Sequence, residues 1–405
     1  MTEDASEKAI KVFSLNLKQL LMQPPVKGKI AMGLDPGYRT GCKIAVVDQT
    51  GKVLDTNVIY PTHSEKEVAE GRKILRGLIK KYHVQIVAIG NGTASKETEI
   101  FLADAISDLD EDVSYMVVNE AGASVYSASK IAAQEFPDYD VTLRSAISIA
   151  RRLQDPLAEL VKIDPKAVGV GQYQHDMPKK RLDETLGAVV EDCVNSVGVD
   201  LNTASASLLS HIAGVSSTVA KNIVAYREKN GAFKSRDELK KVSKLGPKAF
   251  EQCAGFLRVA ESKNILDNTS VHPESYDAAI KLLELCEYTA DDVRIGRLKD
   301  LQSKVKSLNE KEVAEKINVG LPTLKDIVME LMKPGRDPRD TLPPPLLRKD
   351  VMNIKDLKKG MELTGTVRNV IDFGVFVDIG VHQDGLVHIS QVSNKYIKHP
   401  SDIVK

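Results

Sequence analysis

Apolar residues recur at helical spacing near the start of the chain, where Ile10, Phe13, Leu17 and Leu21 fall on one face. The spacing predicts an amphipathic helix over residues 4–22, and the two prolines that follow end it. No earlier apolar segment is present in the sequence to cover this helix. We therefore expect residues 1–28 to belong to an element upstream, which would make the chain a fragment of a longer protein.

Residues 29–155 predict an α/β domain. The stretch KIAMGLDPGYRTGCKIAVVD predicts two apolar strands joined by a tight polar turn, and VLDTNVIYPT predicts a third strand. A helix over 65–82, a strand QIVAIGNG, a helix over 96–108 and a strand SYMVVNE follow. Three antiparallel strands before helix–strand units indicate a ribonuclease-H-like fold. A Rossmann sheet would alternate from its first strand and contain GxGxxG, which this sequence lacks.

Residues 156–265 are helical and contain two copies of one pattern. The copies are HIAGVSSTVAKNIVAYREKNGAF and KVSKLGPKAFEQCAGFLRV, each a helix, a short turn with glycine and a second helix. We interpret them as tandem helix-hairpin-helix units. The whole chain balances 56 basic against 56 acidic residues, but residues 205–263 hold 11 Lys/Arg and 5 Asp/Glu. This local excess of 11 − 5 = 6 positive charges favours a polyanionic partner.

The remaining sequence predicts three more segments. Residues 266–333 show apolar stripes of a further helical domain. Residues 334–352 are a proline-rich linker, since five prolines favour a stiff, extended chain. From residue 353, alternation and glycine turns predict the β-structure of an OB barrel. Two of its strands cannot be found, so we expect a C-terminally truncated, partial OB domain over 353–405 in a multidomain α/β plus α plus β chain.

Cysteine use and hydropathy indicate a cytoplasmic protein. The four cysteines are far apart and form no CxxC pair, which is typical of reduced thiols. No apolar run reaches the roughly 18 residues of a membrane span. The N-terminal residues lack the basic and apolar regions of a signal peptide.

Acidic residues near strand ends of the α/β domain are candidates for metal-dependent phosphoryl chemistry. Asp35 ends the first strand, Glu120 ends SYMVVNE, and Asp155 is a further candidate. Such chemistry needs several converging carboxylates. An active nuclease would use Asp35, Glu120 and Asp155 as catalytic residues, with Asp35 and Glu120 binding Mg²⁺ or Mn²⁺. The fourth strand instead ends in Asn91, whose neutral amide weakens a divalent site.

An inactive fold is the alternative, and we favour it. Glu97 and Glu99 are the acids nearest to Asn91, but they lie in the following helix. In the inactive fold Asp35 and Glu120 only cap turns, and no cofactor is required. The turn DPGYRTG also loosely resembles the first phosphate loop of actin-like ATPases, but GNGTA lacks the aspartate of the second loop.

The two hairpin turns are candidates for phosphate contacts. Main-chain N–H groups of such turns point at a phosphate without reading the base sequence. The turns GVS and KLG each keep one of the two glycines of an ideal G-x-G turn, and a lysine follows each. A helical bundle with solvated lysines is the plainer alternative, but the local positive charge favours binding. The predicted contact residues are Gly214, Ser216, Lys221, Lys244, Gly246 and Lys248.

The OB segment offers rings for base stacking. Phe373 and Phe376 lie three apart in DFGVFV, and His388 follows in GLVHIS. Together they can present rings on one face of the barrel, where stacking contributes about 1–3 kcal/mol per base. Alternation indicates that at least one phenylalanine belongs to the core instead. No second His or Cys is spaced to make His388 a metal ligand.

Long strings of this chain resemble the bacterial Tex family of transcription accessory proteins. They include GLDPGYRTGCKIAVVD, VNEAGASVYSAS, SIARRLQDPLAELVKIDPKAVGVGQYQHDM and ETLGAVVEDCVNSVGVDLNTAS. The resemblance implies a RuvC-like (YqgF) domain, tandem helix-hairpin-helix units and an S1-type OB domain, in that order. It also implies binding of RNA or single-stranded DNA, an inactive nuclease-like domain, and an architecture similar to a eukaryotic transcription elongation factor.

Together these patterns predict a modular, sequence-nonspecific protein that binds RNA or single-stranded DNA and acts in transcription. We expect a monomer without enzymatic activity and with no membrane partner. The competing hypothesis is a metal-dependent, structure-specific nuclease that uses Asp35 and Glu120. A third hypothesis is a scaffold whose helical surfaces bind the transcription or translation machinery.

Overall fold

A computed structural model describes residues 2–332, 335, 337–349, 357–381 and 383–404. The chain forms two compact units. One consists of Val26–Gln154 with Pro345–Lys405, and the other of Met1–Pro25 with Asp155–Pro344. Among the described residues, no helix combines the length and the hydropathy needed to cross a membrane.

The regular elements follow one another along the chain in this order. The strands are β1 (Ala31–Asp35), β2 (Cys42–Val47), β3 (Val53–Ile59), β4 (Ile86–Gly90), β5 (Ser114–Val118), β6 (Val199–Asp200), β7 (Leu257–Arg258), β8 (Thr366–Ile371), β9 (Gly374–Asp378) and β10 (Gly385–His388). The helices are α1 (Thr2–Leu21), α2 (Glu65–Tyr82), α3 (Ser95–Ile106), α4 (Ala123–Ser127), α5 (Lys130–Glu135), α6 (Val141–Gln154), α7 (Pro156–Leu160), α8 (Lys179–Val197), α9 (Ala206–Leu209), α10 (Ser217–Asn230), α11 (Pro247–Cys253), α12 (Tyr276–Leu285), α13 (Ala290–Arg294), α14 (Leu301–Ser307), α15 (Glu310–Lys316), α16 (Leu321–Met332) and α17 (Ile389–Val392).

A five-stranded sheet in the order β3-β2-β1-β4-β5 forms the α/β domain. β1, β2 and β3 pair antiparallel, while β4 and β5 run parallel to β1. This is the predicted ribonuclease-H-like arrangement, and the fold class is confirmed. α2 has the predicted bounds because Ser64 and Glu67 form a capping box at its start.

The two faces of this sheet are covered by different helices. β1 and β4 are almost continuously buried, as strands with helices on both sides must be. Residues of α2 and α3 pack on one face, and residues of α6 pack on the other. A Cβ at Gly33 would lie 2.1 Å from the Ala146 carbonyl oxygen, so glycine lets α6 cross β1 in direct contact. This packing fixes the carboxyl end of β1, where Asp35 lies.

Arg348 joins the chain after the proline-rich segment to this sheet. Its backbone exchanges two hydrogen bonds with Tyr115 on β5, of 2.7 and 2.8 Å. Its guanidinium lies 3.5 Å from the Glu99 carboxylate and 3.3 Å from the Asp378 carboxylate on β9. Glu99 is only 2% exposed and also accepts a hydrogen bond from the Tyr115 hydroxyl. One cation therefore contacts both the α/β domain and the C-terminal sheet.

The C-terminal sheet has the antiparallel order β10-β9-β8 within the described residues. The register places Phe376 opposite Leu386 on one side and opposite Asn369 on the other. Opposed residues of antiparallel strands share a face. These strands belong to the segment predicted as a partial OB barrel.

The N-terminal helix α1 finds its partner within the chain. Its apolar face is buried, and α1 packs against α8. The Asn16 side chain donates to the Val170 carbonyl oxygen at 2.8 Å, and Arg181 forms an ion pair with Glu7. The prediction of an upstream partner therefore differs from the structure, because α8 lies about 160 residues further along and no local pattern indicates the pairing.

The segment predicted as an extended linker is partly folded. Residues Pro338–Thr341 form a short 3-10 helix, and Arg339 is 1% exposed. Its guanidinium binds Asp337 at 2.7 Å and Asp155 at 2.8 Å. The two acids overcome the extended preference of the prolines. Of the predicted linker over 334–352, positions 334, 336 and 350–352 lie outside the described residues, as do position 333 before it and positions 353–356 after it.

Arg236 holds the second hairpin unit to the segment that follows it. It is 1% exposed, and its guanidinium donates to the carbonyl oxygens of Leu257, Val271 and Thr269 at 2.6–2.9 Å. It also donates to the Tyr276 hydroxyl at 2.6 Å. Every one of these bonds crosses at least 21 residues of sequence.

We expect Arg236→Met to lower the free energy of unfolding by about 3–5 kcal/mol, because several buried acceptors would lose their donor. The measurement is urea unfolding, with hydrogen exchange of residues 265–276 as a local readout. The matched control is Arg294→Met, which removes an exposed guanidinium paired with Asp291. Similar stability of both variants would contradict the role given to Arg236.

Candidate nucleic-acid interface

Asp35, Asn91 and Glu120 meet at one edge of the five-stranded sheet. Asp35 ends β1, and Asn91 and Glu120 follow β4 and β5. The Glu120 backbone N–H donates to Asn91 Oδ1 at 3.0 Å. The structure thus brings the predicted acids Asp35 and Glu120 to the same edge, with the amide of Asn91 engaged by the backbone.

Burial and like charge act on Asp35 together. Burial raises the pKa of Asp35 to about 6, and the Glu120 carboxylate adds to the rise, while Lys43 opposes it. Lys43 lies opposite Asp35 in the β1–β2 register. Its ammonium donates to the carbonyl oxygens of Thr40 at 2.8 Å and Gly41 at 3.0 Å, which closes the turn after Asp35.

Glu120 occupies space that two glycines leave open. A Cβ at Gly92 would lie 1.7 Å from Glu120 Oε1, and a Cβ at Gly90 would lie 2.2 Å from Oε2. Oε2 is buried and has no hydrogen-bond partner within the described part of the chain. The glycines of IGNG therefore leave room for the carboxylate in this position, and a side chain at either one would displace it.

The donor set at this edge does not fit a two-metal centre. The described residues contain no group of three or more His, Cys, Asp or Glu side chains positioned around a metal ion. Glu97 accepts a hydrogen bond from the Tyr38 hydroxyl at 2.9 Å, and Glu99 is bound to Tyr115 and Arg348. The two neighbouring acids are thus engaged elsewhere.

Asp155 has structural partners in the helical unit. Its side chain caps α7 by accepting the Ala158 N–H at 3.3 Å, and it pairs with Arg339. These contacts occupy both of its oxygens. Its predicted catalytic role stays a prediction that no contact here supports.

The two hairpin turns share one backbone geometry. Gly214 and Lys244 both have a left-handed backbone, with φ of 77° and 66°. The next N–H in each turn donates to the carbonyl oxygen three residues earlier, from Val215 to Ile212 and from Leu245 to Val242. The position that favours glycine is therefore filled by glycine in the first turn and by lysine in the second.

The two predicted lysines do not occupy equivalent positions of the hairpin units. Ser216 caps α10 through its hydroxyl, which accepts the Val219 N–H, whereas Gly246 begins α11 without a side-chain cap. Counting from these caps, Lys221 corresponds to Glu251, and Lys248 corresponds to Thr218. The two predicted lysines are both exposed, but they lie at different positions of the repeat.

The C-terminal sheet exposes several apolar side chains. Phe373 is 53% exposed in the turn before β9, and Phe376 is half-buried on the face it shares with Leu386. His388 is exposed, and its Nδ1 accepts the Ser390 N–H at 3.3 Å, which caps α17. Neither phenylalanine is a fully buried core residue.

Two exposed residues of the C-terminal segment, of which Leu386 lies on this face, were not among the predicted site residues. Leu386 is 49% exposed, and Tyr396 is 92% exposed. A leucine in an alternating strand is ordinarily assigned to the core. Only the register with Phe376 shows that Leu386 lies on the open face.

Family models match four successive segments of the chain. The Tex protein YqgF-like domain matches residues 29–154, and a helix-hairpin-helix motif matches residues 194–258. An HHH domain matches residues 264–339, where the sequence predicted only a further helical domain. The S1 RNA binding domain matches residues 356–405.

Similar proteins extend over the whole chain. The uncharacterized protein YdcI of Bacillus subtilis is 55% identical over 100% of this chain and 56% of its own length. The transcriptional accessory protein Tex of Neisseria gonorrhoeae is 53% identical over 100% of this chain and 52% of its own length. A human protein, S1 RNA-binding domain-containing protein 1, is 41% identical over 97% of this chain and 45% of its own length.

The chain spans about half the length of the curated relatives it matches. Within that span the YqgF-like, helix-hairpin-helix and S1 segments occur in the predicted order. With relatives of this identity, one of them named Tex, this chain belongs to the Tex family.

Proposed function

We propose that this chain binds single-stranded nucleic acid, RNA or DNA, with contacts that are largely independent of sequence. The observation that supports this most directly is the open face of β9 and β10, where Phe376 and Leu386 lie side by side, together with the exposed Phe373 in the turn before β9. Rings on an open sheet face stack on bases of any sequence. The face belongs to the segment that matches the S1 RNA binding domain.

The hairpins add phosphate contacts in this proposal. Their turns have backbones of matching geometry, and Lys221 and Lys248 are exposed beside them. Backbone N–H groups and lysine ammonium groups bind phosphates without reading bases. The local excess of positive charge in residues 205–263 supports this assignment.

A role at the transcription machinery is the setting we propose for this binding. The printed name of the Neisseria relative, transcriptional accessory protein, supports it. We propose a monomeric, cytoplasmic protein whose helical surfaces are available to other proteins. Pull-down of the machinery that survives nuclease treatment would separate a scaffold role from one that depends on nucleic acid.

Metal-dependent nuclease activity is the second candidate. The buried Asp35 carboxyl and the unpartnered Glu120 Oε2 favour it, because buried acids next to each other are typical of phosphoryl-transfer sites. Asn91 argues against it, since its amide contributes no charge toward a cation. We therefore rank this function below binding.

The stacking face gives the first prediction. We expect Phe373→Ala and Phe376→Ala each to weaken binding of a single-stranded uridine 12-mer about 5- to 150-fold, because each removes a ring worth about 1–3 kcal/mol. Fluorescence anisotropy at one fixed salt concentration measures this. Tyr173→Ala, which removes a 68% exposed ring from the helical unit, is the control. Affinity equal to that of the parent in both variants would contradict the proposal.

The next prediction concerns the hairpin lysines. We expect Lys221→Gln and Lys248→Gln each to reduce the slope of log affinity against log salt by about 0.7 for a single strand, because each removes one phosphate contact. Titrations between low and moderate salt provide the slope. The control is Lys311→Gln on α15, an exposed lysine outside the hairpins. A slope unchanged from the parent would remove the hairpins from the interface.

A further prediction concerns the pKa of Asp35 and the pH dependence of stability. A pKa raised from 3.8 to about 6 means that the folded chain binds the Asp35 proton more tightly, so the contribution of Asp35 to stability is fully present below about pH 4 and is lost as pH rises through 6. The loss is about 3 kcal/mol for 2.2 units. We expect Asp35→Asn to abolish it, as measured by hydrogen exchange of β1 and β4. Asp48→Asn is the control, since hydrogen bonds from Thr50 and Lys52 lower the pKa of Asp48 and reverse the sign.

The same variant decides between the two functions. We expect no cleavage of labelled branched or single-stranded DNA by the parent with Mg²⁺ or Mn²⁺. Cleavage that disappears in Asp35→Asn would establish the nuclease instead.

A further inference from the structure

A cavity of about 510 Å³ opens beside the second hairpin turn. Leu245, Pro247 and Phe250, from the turn and from α11, supply its apolar lining. His272 and Glu274 line it from the segment that follows. Small-ligand sites have volumes of about 300–1,000 Å³, so the cavity is large enough for a planar heterocycle.

One wall of this cavity is held in a fixed orientation. The His272 ring lies 2.8 Å from the Glu251 carbonyl oxygen through Nε2, and its Nδ1 accepts the Glu274 N–H at 3.4 Å. An accepting Nδ1 assigns the ring hydrogen to Nε2, which donates to the carbonyl. With both nitrogens engaged, His272 presents a rigid edge without needing a ligand to order it.

The two hairpin units have opposite charges at equivalent positions. Glu251 lies five residues after the Gly246 cap, where the first unit has Lys221 five residues after Ser216. The Glu251 carboxylate is exposed and makes no ion pair within the part of the chain that the structure describes. A carboxylate here repels phosphate, so the second unit does not repeat the phosphate contact of Lys221.

The lining specifies the chemistry of the occupant. Proline and aromatic surfaces pack against a flat ring, and a carboxylate accepts two parallel N–H bonds from one partner. Guanine has two adjacent donors, N1–H and N2–H, on its Watson–Crick edge, with the O6 acceptor beside them. Lys240, whose ammonium lies 4.8 Å from the Phe250 ring centroid and 2.7 Å from the Asp237 carboxylate, lines the rim and has further N–H groups that can donate to O6.

We propose that this cavity binds one unstacked guanine base of a single strand. The ring packs against Pro247 and Phe250, and the N1–H and N2–H groups donate to the Glu251 carboxylate. This inference rests on the proposed function, because the hairpins would hold the strand on either side of the base. It adds one base-selective contact to an interface that is otherwise independent of sequence.

The test uses the full chain and three labelled single-stranded RNA 12-mers, namely uridine throughout, and uridine with one central guanosine or one central inosine. Inosine lacks only the N2 amine, so it removes one of the two N–H groups that donate to the Glu251 carboxylate. We expect the guanosine strand to bind about 5- to 150-fold tighter than the uridine strand, and the inosine strand to lose most of that gain.

Two variants test whether the preference for the guanosine strand depends on this cavity. Glu251→Gln replaces one acceptor with an amide donor, so the guanosine preference should fall to about one, while uridine-strand affinity should not fall, because the variant removes a carboxylate that repels phosphate. Gly246→Leu should also remove the guanosine preference, because its side chain would occupy the mouth of the cavity. The fold should tolerate this leucine, since the Gly246 backbone is not left-handed and an added Cβ meets no atom within 4 Å. The control is Gly187→Leu on α8, where the added Cβ is equally unopposed.

Equal binding of all three strands by the parent would overturn the cavity proposal and leave the proposed function standing. A guanosine preference that survives in both variants would also overturn it. If the parent binds none of the strands, the proposed function fails together with this inference. Competition by a short arginine-rich peptide, without any base preference, would assign the cavity to a protein partner and overturn the proposal.

Discussion

The buried guanidinium of Arg236 is the interaction on which the helical unit most depends. Residues between 257 and 276 have little regular secondary structure, so their carbonyl groups lack a helix or sheet to bond them. Arg236 supplies a planar set of donors to carbonyls of residues 257, 267, 269 and 271. A lysine carries its N–H donors on a single nitrogen, so it cannot reach acceptors that are this widely spread. The hairpins and the HHH segment thus become one body.

Two other arginines also connect segments that are distant in sequence. Arg339 brings the end of the HHH segment to Asp155, 184 residues earlier, and Arg348 links β5, Glu99 and Asp378. Burying a charge is costly unless carboxylates and carbonyls surround it, and the buried Arg236 and Arg339 have such partners. Arg348 is partly exposed and pairs with two carboxylates. These polar contacts join segments that are distant in sequence.

How much the sequence reveals differs between elements. Strands β1 to β5 and helix α2 follow from alternation, apolar runs and a capping box, which are local patterns. The pairing of α1 with α8 and the partners of Arg236 are not local, since they join residues many turns apart, and no periodicity encodes them. At the hairpins the sequence indicates the repeat and its alignment, in which Lys221 corresponds to Glu251, and the shared left-handed φ of Gly214 and Lys244 agrees with that alignment.

The carboxylates of Asp35 and Glu120 explain why a neutral amide is favourable at position 91, beside them at the same sheet edge. Asp35 is buried next to Glu120, and that proximity already raises its pKa. A third carboxylate would add repulsion that only a bound cation offsets. Asn91 keeps the oxygen that accepts the Glu120 N–H while adding no charge. The turn after β4 thereby holds a neutral acceptor beside two carboxylates, and Gly90 and Gly92 leave the space that the Glu120 carboxylate occupies.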